Sequence, residues 1–182
     1  MTAFFVLVPG FLQAHGFGFG LSPTNAGLLL LPFSLAMIAA GPVAGALGTS
    51  RGRVLPLRIG LTLGAGSLAG LAAFHADQVA FAAWLPIMGV GMAFSLAAIG
   101  ALVIDHSRPE ETGVTSGVNT IMRTSGAAIG AQIAAAIVSA HPGSGDGYTI
   151  AFVMGALGLV AALAPTLVIT RRRAGAVALA TA

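Results

Sequence analysis

Long apolar runs broken by short polar stretches organise the chain. The first run covers residues 2–12 and is short for a membrane span. Residues 16–24 read as a glycine-rich loop closed by Ser22-Pro23. Further runs cover residues 25–48, 57–76, 79–104, 112–140 and 148–169, with a Pro/Gly/Ser turn over His141–Gly147. A helix needs about 20 apolar residues to cross the hydrocarbon core, and the five later runs reach that length. They are too long for strands and lack the period-two alternation of a membrane barrel. In lipid, a helix satisfies its own backbone hydrogen bonds. The pattern therefore predicts an all-α integral membrane protein, a bundle of about six transmembrane helices.

The few charges fix an orientation. Arg51, Arg53 and Arg58 flank the link between the second and third runs, Arg108 follows the fourth, and Arg171, Arg172 and Arg173 follow the sixth. With the C-terminus inside, simple alternation puts all of these on the cytoplasmic side of the cell inner (plasma) membrane. His15, His75, Asp77, His141 and Asp146 then lie on the other side. Such an asymmetry follows the positive-inside rule. Only 7% of residues are charged, against about 25% in a soluble domain. The basic balance of +3 comes from sparse arginines without a basic stripe, which argues against nucleic acid as a partner. There is no cysteine, so disulfide and thiolate–metal chemistry are excluded.

Within the apolar runs, small residues recur. Gly41/Gly45, Gly60/Gly64, Gly66/Gly70, Gly113/Gly117 and Gly126/Gly130 are each four apart, a spacing that lets neighbouring helices approach closely. Arg123 is the single charge well inside a run, about 16 Å along a helix begun at Thr112. An intramembrane charge faces protein or water, or snorkels to the interface. Asn119 precedes it by one turn on the same face, and Gly126 and Gly130 continue that face. Asn119 and Arg123 are thus candidates for a cavity-lining or gating stripe. Gln13, Ser95 and Gln132 are isolated polar groups that line a cavity or bond between helices. Gln132 falls on the opposite side of its helix from Arg123. The five acidic residues all sit in or beside loops. Of these, Glu110 and Glu111, with Thr112, can supply negative charge and a cap to the fifth helix. The outer histidines lack metal-ligand spacing, and no nucleotide, zinc-protease or nucleophile-elbow motif is present. Neither a cofactor, a metal nor a catalytic constellation is expected.

Several of these pieces occur in a recognisable order. Leu12-Gln13, then Gly20-Leu21-Ser22-Pro23-Thr24-Asn25-Ala26-Gly27-Leu28 and Leu31-Pro32, resemble transporters of the major facilitator superfamily. The fourteen-helix drug:proton antiporters are the most similar branch. Pro42 with Gly45-Ala46-Leu47, Gly89-x-Gly91, and the series Gly113, Ser116-Gly117, Asn119, Arg123, Gly126 and Gly130 continue the resemblance. It departs from the branch at the inner loop, where Thr49 and Ser50 stand in place of an acidic residue and an arginine, before Arg51, Gly52 and Arg53. That departure puts a gating salt bridge of this half in doubt.

The resemblance implies that residues 1–173 form the C-terminal six-helix half of an efflux transporter and residues 174–182 a cytoplasmic tail. It implies partners as well: the lipid bilayer, an N-terminal half in the same longer chain or a separate one, and a small amphipathic substrate exchanged for protons. The chain is then expected to be a piece of a longer transporter. Transporters of this type bind substrate between two halves near the midplane, so one half supplies one wall. A different class of reading is a non-transporting membrane remnant or a small assembly subunit. An intramembrane enzyme would need a catalytic constellation that the sequence does not supply.

Overall fold

In a computed structural model, residues 4–16, 18–141 and 145–180 are described, with side chains described as far as Thr166. The described residues are mostly helical. It runs through α1 (Phe4–Gln13), α2 (Pro23–Leu29), α3 (Leu31–Arg51), α4 (Val54–Ala73), α5 (Gln78–Asp105), α6 (Thr112–Ser139) and α7 (Asp146–Ala180). A single 3-10 turn, Pro109–Glu111, leads into α6. Five stretches are long and apolar enough to cross a membrane: Pro23–Arg51, Val54–Ala73, Gln78–Asp105, Pro109–Ser139 and Asp146–Thr166. The shorter α1 is the sixth apolar helix. This is an all-α, multi-pass membrane bundle.

Local chemistry explains where the helices begin and pause. The second span starts at Pro23, inside the stretch expected to be loop, because Ser22 caps it. The Ser22 Oγ accepts the Asn25 N–H at 3.3 Å, and Pro23 occupies the first turn, where its missing N–H costs nothing. The span pauses at Leu30, whose N–H turns back to the Ala26 and Gly27 carbonyls. Pro32 then restarts it as α3, having no N–H to continue the previous ladder. The Asp77 carboxylate accepts the Val79 N–H at 2.9 Å and starts α5. Glu110, Glu111 and Thr112 behave otherwise than expected, because no side chain caps α6. The 3-10 turn already carries the backbone bonding into the helix, and the Thr112 hydroxyl donates back to the Arg108 carbonyl at 3.0 Å. The negative charges still sit at the helix start, where the dipole favours them. The tail expected from residue 174 continues α7 as helix to Ala180, and residues 181–182 lie outside those described.

α5 is the centre of the bundle, packed along both α3 and α4, and α7 packs against α4. Glycines make the inner contacts. A Cβ on Gly60 would run into Ser95 and lie 2.6 Å from the Gly91 carbonyl oxygen, and one on Gly91 would lie 2.8 Å from the Gly64 nitrogen. At the same interface the Ser67 hydroxyl donates to the Trp84 carbonyl at 2.8 Å, and the Trp84 ring fills the space beside Gly70. Gly89 meets the Phe33 carbonyl of α3.

The other expected packing glycines do not serve this purpose within the chain. A Cβ at Gly41, Gly45, Gly66, Gly113, Gly117, Gly126 or Gly130 meets nothing within 4 Å. Among the described residues, no atom of a neighbouring helix comes that near to them.

Toward one end, an aromatic cluster anchors the short α1. Phe11 is fully buried and stacks on Phe81 at 5.4 Å, with Phe19 and Tyr148 edge-on to it. At the opposite end two arginines tie helices together. Arg58 of α4 donates to the Thr166 carbonyl of α7 at 2.6 Å and to its hydroxyl at 3.3 Å. Arg53 pairs with Asp105, the last residue of α5, at 3.1 Å.

Candidate functional site

A cavity of about 500 Å³ opens between α5, α6 and α7, floored by Leu61 of α4. Its size falls in the range that holds a drug-sized ligand, about 300–1,000 Å³. From α5 come Met92, Ser95, Leu96 and Ile99, and from α7 come Ala151, Met154, Gly155, Gly158 and Leu159. α6 contributes Arg123, Gly126, Ala127, Gly130, Ile133, Ala134 and Ile137. These α6 positions recur every three or four residues and so form one stripe along the helix. The void follows from that stripe. Where larger side chains would close the gap, Gly126 and Gly130 leave it open, as does Gly158 across from them. α6 lies loosely on its neighbours, with Ala134 its one buried residue.

Two polar residues stand in this apolar lining. Arg123 is the sole charged one. Among the described residues it has no ion-pair or hydrogen-bonding partner, and the one ion pair present is Arg53–Asp105. Ser95 is the other. It is 2% exposed, it packs against Gly60, and its Oγ has no hydrogen-bond partner.

The candidates read from the sequence separate here. Arg123, Gly126 and Gly130 come together on the cavity wall. Asn119 is half-buried one turn earlier on α6, outside the lining. Gln13 lies at the end of α1, also outside the lining, and its side-chain amide donates to the Pro9 carbonyl at 3.2 Å. Gly113 and Gly117 are exposed or nearly so toward the start of α6 and border no part of the cavity. Gln132 is exposed and off the wall.

Arg51, Gly52 and Arg53 occupy the turn between α3 and α4. Gly52 takes a positive φ of +88°, which ends α3. Thr49 and Ser50 lie in the last turn of α3, just before it. Their hydroxyls bond back to the Ala46 carbonyl of their own helix, at 2.9 Å each. The ion pair at this end is made instead by Arg53 with Asp105. The α7 wall and the Arg58–Thr166 tie were not singled out in the sequence. Gly155 and Gly158, three apart, were the available signal for the first.

The acidic side chains occupy helix ends: Asp77 caps α5, Asp105 closes it, Glu110 and Glu111 precede α6, and Asp146 begins α7. None lines the cavity. His75, His106 and His141 each bond back to a carbonyl of their own helix.

The structure is that of a helical membrane bundle with a mostly apolar cavity bearing one cation. The match to the Major Facilitator Superfamily family model runs over residues 1–181, and the chain belongs to that superfamily. Among named proteins it is similar to the tetracenomycin C resistance and export protein of Streptomyces glaucescens. That pair is 27% identical over 126 residues, 68% of this chain and 23% of the relative. It is 31% identical to the methyl viologen resistance protein SmvA of Salmonella typhimurium over 145 residues, 76% of this chain and 29% of the relative. It is 32% identical to the uncharacterised MFS-type transporter YddS of Bacillus subtilis over 160 residues, 86% of this chain and 34% of the relative. The chain thus spans about a quarter to a third of the length of the relatives it matches. No solved structure matches.

Proposed function

We propose that this chain is the C-terminal half of a major facilitator efflux transporter that exports amphipathic organic compounds in exchange for protons. The observation that carries the reading is the cavity, drug-sized and mostly apolar, walled on one side by a helix with almost no buried surface of its own. A wall of this kind is completed by an N-terminal half. The exposed apolar side chains Val114, Val118, Ile121 and Met122 of α6, with Leu35, Ile38 and Val43 of α3, give lipid or that half a surface to cover. Relatives named for resistance and export support the direction of transport. The coupling carboxylate belongs to the other half in this reading, since the carboxylates here sit at helix ends. In this reading the arginine-bearing ends lie on the cytoplasmic side of the cell inner (plasma) membrane, with the C-terminus inside.

The test uses the full protein encoded by the reading frame that contains this chain. Expressed in an efflux-deficient host, it should raise tolerance to amphipathic toxins. In inverted vesicles holding a pH gradient, the same compounds should discharge that gradient. Arg123→Ala should lower transport without blocking membrane insertion. No gain in tolerance would overturn the efflux reading in favour of an assembly subunit or remnant. Tolerance without gradient discharge would remove the proton exchange alone.

A further inference from the structure

We infer that the cavity between α5, α6 and α7 selects amphipathic anions, with Arg123 holding the anionic head and the α5–α7 wall holding the tail. This rests on the reading of that cavity as the ligand-facing wall. The argument is one of charge complementarity. Arg123 is the one charged residue in the lining, and no carboxylate shares it. Among the described residues it also has no counter-ion, so its guanidinium is available to a ligand. An arginine fork matches carboxylate and phosphate geometry with paired hydrogen bonds. Such a charge attracts an anion and repels a cation.

A second polar residue belongs to the same lining. Ser95 belongs to the lining, and its hydroxyl is buried against Gly60 of α4 without a hydrogen-bond partner. Buried polar groups are normally paired. A rotation about its side-chain bond would let this hydroxyl donate to a polar atom seated beside Leu61 and Met92. The remaining walls are methyl and methylene surface from Leu96, Ile99, Ile133 and Met154, with glycines leaving width for a chain or ring. Among the described residues of this wall, a cation of the same shape finds no carboxylate.

The experiment is competitive photolabelling of the full protein, in nanodiscs of phosphatidylcholine, with a diazirine-bearing dodecanoate. Adducts are mapped by mass spectrometry. They should fall on the cavity-lining segments of α5, α6 and α7. Unlabelled dodecanoate should compete at a concentration about tenfold or more below that of dodecyltrimethylammonium, which has the same tail. That ratio is what one charge-assisted hydrogen bond is worth. Arg123→Gln should erase the preference, and Arg123→Lys should keep most of it.

If the ammonium competes as well as the carboxylate, or if Arg123→Gln labels as strongly as the parent, anion selection is wrong while the cavity reading stands. Absence of adducts from the lining would overturn both, a result separate from the tolerance assay above. Adding phosphatidylglycerol to the nanodisc separates the sources of the anion. Undiminished labelling marks a dissolved amphipath, whereas displacement marks a lipid headgroup, and either keeps the anionic chemistry.

Discussion

Gly60 and Gly126 show two opposite uses of the same residue. Gly60 sits where a Cβ would press on Ser95 and the Gly91 carbonyl, so α4 and α5 can approach only because it has no side chain. Gly126 faces open space. Gly60→Ala should therefore destabilise the bundle by about 1–3 kcal/mol, the usual result of overpacking. Gly126→Ala should leave stability unchanged or raise it by up to about 0.5–1 kcal/mol, since alanine is the better helix former. Melting midpoints of the two variants in one detergent check the contrast. The sequence holds both residues in identical four-residue spacings and cannot tell them apart, because a repeat fixes a helix face but not what covers that face. Arg123 was legible for the opposite reason. An unpaired charge inside an apolar run has few places to go, and it lies on a cavity wall.

Between elements, two arginines of the α3–α4 region do different work. Arg53 and Asp105 meet with side chains 31% and 42% exposed, so their attraction is largely screened. Asp105→Asn should cost no more than about 1 kcal/mol. Arg58 instead ties α4 to α7 through the carbonyl and hydroxyl of the buried Thr166. Arg58→Ala should cost about 1.5–3 kcal/mol, as hydrogen bonds to charged groups do. Unfolding of both variants under the same conditions should separate them clearly.

Helix number and placement were readable from hydropathy because lipid demands long apolar runs. The boundary at Pro23 and the pause at Leu30 were not, because capping by Ser22 and the absent N–H of Pro32 act locally, within an unbroken apolar signal. The Arg58 tie was hidden for a further reason. It joins residues 108 positions apart, and pairing at that distance leaves no trace in local pattern.

For the whole molecule, packing is uneven. α3, α4, α5 and α7 form a dense body, whereas α6 lies at its edge with one buried residue. Backbone hydrogen exchange should reflect this. In detergent, α6 amides should exchange faster than those of α4 and α5, because local opening is easiest where few apolar contacts hold an element. Completion of the bundle by the proposed N-terminal half should slow α6 most. Equal protection of α6 and α4 in the chain alone would contradict the loose attachment.

The cavity wall on α6 is built largely from missing side chains. Its volume is set at positions that contribute little to holding the fold together. Enlarging Gly126 or Gly130 by a methyl group trims the chamber without disturbing a helix contact of this chain. On the efflux proposal, mutational drift at these sites would reshape which compounds are accepted while sparing the helix contacts of this chain. On that same proposal, a lineage exposed to a changing succession of toxins can explore new chemical tolerances by single codon changes.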